Sequence, residues 1–337
     1  MKALVIGLGS MGKRRIRCLK ALGVKEICGF DLRSDRREEA VSKYGIDLAE
    51  KITPDFIKNF DFTIISVPPN HHFQYMSQSL SAGRHFFIEV SIIDEGFREM
   101  GEQARAKNIV AAPSLTMVFH PGVQRIISAV QTGEIGKVCN FIYHSGQYLP
   151  DWHPYEKVSD FYVSNPETGG AREILPFELA WLIRCFKYPQ KVSAAVAKTT
   201  RIEGAEKIDD TYSLLFRFGD KLGTLIIDVV SRFATRRMTV VGEKGQIEWD
   251  WNQNAVRIYN GETKQWKIED YSVSKAAEGY NVNISEQMYI DEIQAFLQAC
   301  AGEKDFPNTL KEDAQVLQIL RAAERSSLEG IEVALTM

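Results

Sequence analysis

The sequence predicts an α/β protein in two parts. The first is a doubly wound parallel sheet; the second is an α+β part built on a mostly antiparallel open sheet. Three observations predict this. Over residues 1–112, short apolar runs alternate with stretches of helical 3–4 spacing, the signature of βαβ units. Over 192–271, apolar-alternating runs follow one another with few helical stretches between them. The first run ends in "GLGSMG", a glycine-rich turn that opens a helix. The change of pattern places a domain boundary near residue 120, giving domains 1–120 and 121–337.

The elements follow in order. Strands are expected over 2–6, 26–31, 62–67, 85–89 and 109–112, with helices over 11–22, 35–44, 72–82 and 94–106. A helix over 122–132 leads to a long strand, 137–149, and then to the aromatic loop "PDWHPYEKVSDFYVSNPETGG". A helix over 172–186 follows. Strands are expected at 192–200, 210–218, 223–230, 237–242, 245–251, 255–260 and 265–271, with turns at "FGDKLG", "GEKG" and "NGETK". Helices over 285–301 and 310–324 close the chain.

The bulk numbers exclude several functions. The 337 residues hold 41 basic and 44 acidic side chains, a net charge of −3, so no basic field exists to grip nucleic acid. The apolar runs are shorter than the roughly 18 residues of a spanning helix, so no membrane is expected. "MKALVIGLGSMG" reads as a buried strand entering a glycine turn, not as a signal peptide. Five scattered cysteines without C-x-x-C fit reduced thiols in a cytoplasmic protein and no metal site.

The glycine turn points to a dinucleotide. Gly7 permits a tight turn, Gly9 lets backbone approach a pyrophosphate, and Gly12 lets helix and strand pack closely. Ser10 and Met11 open the helix, whose N-terminus offers N–H groups to phosphates. Asp31 ends the second strand, about 20 residues on, where a carboxylate takes the ribose hydroxyls and favours NAD. Arg33, Arg36 and Arg37 would instead suit the 2′-phosphate of NADP, unless Arg36 and Arg37 are solvated helix charges. Val67 and Pro68, in "SVPPNHH", shape a loop beside the dinucleotide, with His72 at the following helix start.

"GLGSMG", Asp31, "PPNHH" and "AGRHFFIE" together resemble the N-terminal half of the Gfo/Idh/MocA oxidoreductases. "GQYLPDWHPYE" and "TGGAREILPFELAWL" are similar to a branch tied to sugar-nucleotide and surface-polysaccharide metabolism. The resemblance implies a Rossmann domain, an open sheet buried in a homodimer or homotetramer, and NAD(P)-dependent hydride transfer at a sugar hydroxyl or carbonyl carbon. It also implies Glu-Lys-Pro at the end of "HFFIE" and a histidine on the helix after the glycine pair. Here those positions read Glu89-Val90-Ser91 and Phe177, followed by Glu178.

Glu89 is therefore expected near the nicotinamide, without the neighbouring lysine. His153, Tyr148 and Glu178 are the candidate proton-transfer groups, with Tyr162 and then Glu173 behind them. Trp152 and Tyr155 could stack on a sugar. Glu178 could equally be ion-paired with Arg172 or Arg184. Two functions fit: an oxidoreductase on a sugar or nucleotide sugar with a non-standard proton relay, or a non-catalytic NAD-binding paralogue acting as a sensor or partner subunit.

Overall fold

In β1 (Lys2–Ile6), the four residues Ala3 to Ile6 are all buried. An unbroken buried run fits a parallel strand covered on both faces. The computed structural model describes residues 1–152, 156–274 and 285–336. The chain forms two compact units: Met1–Thr116 with Glu286–Ala314, and Met117–Ser285 with Gln315–Met337.

In the first unit β1 is followed by α1 (Ser10–Ala21), β2 (Glu26–Phe30), α2 (Ser34–Tyr44), β3 (Asp47–Leu48), α3 (Pro54–Ile57), β4 (Phe62–Ile65), α4 (His72–Ser81), β5 (His85–Ile88), α5 (Phe97–Ala106) and β6 (Ala111–Pro113). Among the described residues these strands make a six-stranded parallel sheet in the order β3-β2-β1-β4-β5-β6. The winding reverses beside β1, between β2 and β4. At such a switch point the carboxyl ends of the strands leave a crevice for a ligand. The sequence reading missed β3 and α3, which are too short to show a period.

The second unit opens with α6 (Pro121–Gln131), β7 (Val138–Tyr148) and α7 (Ala171–Phe186). Then come β8 (Lys191–Ala197), β9 (Thr211–Arg217), β10 (Leu222–Asp228), β11 (Val230–Gly242), β12 (Gly245–Asp250), β13 (Ala255–Asn260) and β14 (Gln265–Asp270). After these, α8 (Gln287–Cys300) belongs to the first unit. Its Phe296 lies edge-on to Phe62 and Phe87, with ring centroids 5.4 and 5.7 Å apart. The chain ends in α9 (Leu310–Glu329) and β15 (Val333–Ala334).

The second sheet runs β14-β13-β12-β11-β7-β10-β9-β8-β15. Its β7–β10 pair is parallel and its other pairs are antiparallel. Thus the fold class expected from the pattern of runs is the one observed. The strict alternation in β9 buries Tyr212, Leu214 and Phe216. From β7, Phe141 stacks on Phe186 of α7 at 4.0 Å and Tyr143 meets Trp181 edge-on at 5.2 Å. The opposite face keeps Ile142 54% exposed and Leu215 43% exposed. The five cysteines are free thiols. Among the described residues no helix is long and apolar enough to cross a membrane, and no His/Cys/Asp/Glu group could hold a metal ion.

Candidate functional site: a dinucleotide cradle and a polar helix face

Two of the cradle's three glycines leave no room for any side chain. Gly7 has φ +93°, and a Cβ there would lie 2.4 Å from the Ser66 carbonyl oxygen. A Cβ on Gly12 would lie 1.8 Å from the Gly7 carbonyl oxygen. These two let β1, α1 and the end of β4 close on one another. Gly9 differs: it caps α1 with no side chain, and its missing Cβ faces only the Arg36 guanidinium, at 3.2 Å. The first turn of α1, with Ser10 and Met11, thus opens on bare backbone suited to an anion.

Asp31 is fixed at the end of β2. Its carboxylate accepts the Leu8 N–H at 2.7 Å and the Arg33 N–H at 2.9 Å. These bonds tie the glycine turn to the carboxylate expected to meet the ribose. The Arg33 side chain is turned outward onto Asp35. Arg36 and Arg37 are not the solvated charges they could have been. The Arg36 guanidinium reaches back to 3.9 Å from Asp31, and Arg37 donates to the Asp31 carbonyl at 3.0 Å.

Across the sheet, the loop after β4 carries Val67 and Pro68. The Val67 carbonyl accepts a bond from His72 Nε2 at 2.9 Å. Burial pushes the His72 pKa down to about 4, so its ring is neutral and donates from Nε2. Its Nδ1 is a buried acceptor with no hydrogen-bond partner among the described residues.

Glu89, at the end of β5, meets a partner that sequence reading missed. The fully buried Arg15 of α1 grips it with two parallel bonds, Nε at 2.8 Å and Nη2 at 2.7 Å, and Ser66 Oγ adds a third at 2.9 Å. The remaining Arg15 nitrogen, Nη1, bonds Glu292 of α8 at 2.8 Å. Glu292 also accepts from Ser114 and Thr116, at 2.9 and 2.7 Å. A signal for Glu292 existed. It lies among Met288, Tyr289, Ile293 and Phe296 on the buried face of α8, where an acid needs a partner. Arg15 carried no comparable signal. Val90 is half-buried, and Ser91 Oγ bonds the Ile93 carbonyl at 2.7 Å, making by side chain the turn a proline would make by its ring.

In the second unit, Glu178 is completely buried and saturated. Tyr143 (2.8 Å), Ser145 (2.9 Å), Trp181 (2.9 Å) and Arg236 (2.7 Å) all donate to it. Its ion partner is Arg236 of β11, 58 residues away, not Arg172 or Arg184 of its own helix, so no local cue pointed to it. Tyr148 ends β7 with the Arg232 guanidinium 3.7 Å from its ring centroid. Tyr162 donates to Glu173, in the first turn of α7. Phe177 is half-buried, its ring 5.9 Å from Arg236. His120, a polar residue of "FHP", caps α6 by accepting the Gly122 N–H at 3.2 Å. His153 and Tyr155 lie outside the described residues.

The reversed winding and the glycine cradle define an NAD-binding Rossmann domain, here joined to a unit built on an open, mostly antiparallel sheet. Family models agree: "Oxidoreductase family, NAD-binding Rossmann fold" matches residues 1–111, and "GFO/IDH/MocA C-terminal domain" matches 123–248. The chain belongs to the Gfo/Idh/MocA oxidoreductase family. It is 24% identical over 174 residues to an uncharacterized oxidoreductase of Schizosaccharomyces pombe, covering 51% of this chain and 46% of that one. It is 23% identical over 143 residues to 4-carboxy-2-hydroxymuconate-6-semialdehyde dehydrogenase of a Sphingobium species, covering 40% and 44%. The matches therefore span less than half the length of these relatives. Levoglucosan dehydrogenase in complex with NADH and levoglucosan has the same fold, with TM-score 0.84 at 17% identity over all of both chains. So does a probable dehydrogenase from Thermotoga maritima, with TM-score 0.81 at 21% identity over 99% of each.

Proposed function

We propose that the protein is an NAD-dependent oxidoreductase that interconverts a hydroxyl and a carbonyl on a sugar or nucleotide sugar, with a proton relay other than the family lysine. The observation that carries this is the cradle of Gly7, Gly9 and Gly12 with Asp31 bonded across it. In this reading the backbone at Gly9, Ser10 and Met11 binds the pyrophosphate, and Asp31 and Arg33 border the adenosine ribose. Val67, Pro68, His72 and Glu89 border the nicotinamide. NAD, when bound, supplies the hydride acceptor. The sugar class is supported by the levoglucosan dehydrogenase complexes of like fold and by the "GQYLPDWHPYE" stretch.

Within this site Arg15 orients Glu89, so that carboxylate is a fixed charge rather than a mobile base. Glu178, with four donors on it, is better suited to holding α7 on β7 than to moving protons. NADP is disfavoured because Asp31 would repel a 2′-phosphate. A second copy of the chain covers the open sheet face. The row Thr239, Ile142, Thr224, Leu215 crosses four strands of that face, and Ile142 and Leu215 are large apolar side chains left exposed.

The test is a screen of sugars and nucleotide sugars with NAD and NADP, read by nicotinamide absorbance. Turnover of at least one sugar, with NAD preferred, is expected. A protein that binds NAD and turns over none of them would instead be a sensor or partner subunit.

A further inference from the structure

The missing side chain of Gly9 marks the direction from which a dinucleotide reaches the cradle. The second glycine of such a turn is bare so that a pyrophosphate can approach the backbone. In that direction stands a cation. A Cβ on Gly9 would lie 3.2 Å from Arg36 Nη1 and 3.6 Å from Arg36 Cζ. Arg36 belongs to the first turn of α2, the helix that follows Asp31, and its side chain is only 28% exposed. Its guanidinium thus rests beside the glycine turn of α1 and the acid ending β2, all within the first unit.

The charge balance of the cradle calls for this cation. Asp31 places a negative charge where a pyrophosphate brings more. The two N–H groups that hold Asp31 add no full charge, and the α1 N-terminus supplies only a partial one. Other cations around the turn are committed elsewhere. Lys13 lies 2.7 Å from Glu39, Arg33 lies 2.6 Å from Asp35, and Arg37 donates to the Asp31 carbonyl at 3.0 Å. Arg36 Nη1 lies 3.9 Å from Asp31 Oδ2. That distance is close enough to offset the carboxylate's charge and longer than a hydrogen bond.

We propose that Arg36 is a cofactor-binding residue that grips the pyrophosphate from α2, opposite the bare backbone of α1. The inference rests on the NAD-binding reading of the cradle and not on the identity of the sugar. A guanidinium presents a planar fork that matches two phosphate oxygens at once. The pyrophosphate is common to NAD and NADP, so this grip does not choose between them. The choice stays with Asp31.

The full chain is titrated with NADH by fluorescence, as wild type, Arg36→Gln and Arg36→Lys. NADPH is titrated likewise, and ADP and adenosine are measured by displacing NADH. Arg36→Gln should bind NADH and ADP about tenfold or more weaker than wild type. It should bind adenosine, which has the ribose but no phosphate, as wild type does. Added salt should weaken its NADH binding less than that of wild type. Arg36→Lys should recover part of the loss, since it keeps the charge without the fork. Both competitors see the same folded protein, so the ratio of ADP to adenosine affinity judges the grip even in a less stable variant. Binding of NADH by Arg36→Gln as tight as wild type, or tighter, would overturn the proposal. So would an equal loss for adenosine, which places the guanidinium on the ribose, or a loss confined to NADPH, which places it on the 2′-phosphate. A wild type that binds neither NADH nor NADPH sinks the cofactor reading together with the grip. One that binds NADH but turns over no sugar sinks the sugar reading alone.

Discussion

Single residues separate binding from folding in the cradle. Gly12 and Gly9 belong to one motif but guard different things. A side chain on Gly12 collides with backbone at 1.8 Å, whereas one on Gly9 meets the tip of a flexible arginine at 3.2 Å. Gly12→Ala should therefore unfold at a clearly lower temperature and bind NADH poorly. Gly9→Ala should melt like wild type yet weaken NADH binding, read by fluorescence titration. Equal melting temperatures for the two variants would contradict this division. The motif was legible because glycine spacing is a local property of backbone. Glu89 was legible as the acid ending "HFFIE", but its Arg15 partner, 74 residues away, was not.

At the scale of elements, α1, β5 and α8 share one buried ion network. Arg15 is wholly inside and bonds two carboxylates, so removing it leaves two acids unpaired. Arg15→Met should cost about 3–5 kcal/mol in urea unfolding, the usual penalty for breaking a buried pair from one side. Adding Glu89→Gln and Glu292→Gln should return part of that loss. A single variant as stable as wild type would show the network to be dispensable. Element types were legible from periodicity over nearly the whole chain. The return of α8 to the first unit was not, because an amphipathic helix records that it has a partner, not which one.

At the scale of the molecule, the open face of the second sheet is the surface the proposed assembly would use. Ile142→Glu with Leu215→Glu places two charges in the row that a second copy would cover. The variant should sediment as a monomer that still binds NADH, while the wild type sediments as a dimer or tetramer. A monomeric wild type would remove the assembly from the reading.

By itself the sequence determined the parallel and open-sheet classes, the glycine cradle and Asp31, which are written in short-range spacing that a strand or turn converts directly into geometry; that Val90 and Phe177 stand where a lysine and a histidine are expected came from the family resemblance. Tertiary structure alone decided the fate of the acids. Glu89 and Glu178 are locked by Arg15 and Arg236, whereas Glu173 is held by a phenol and its other oxygen has no partner among the described residues. Whether a carboxylate is neutralised, saturated or left able to take a proton depends on donors brought from distant parts of the chain, and on the water their packing excludes.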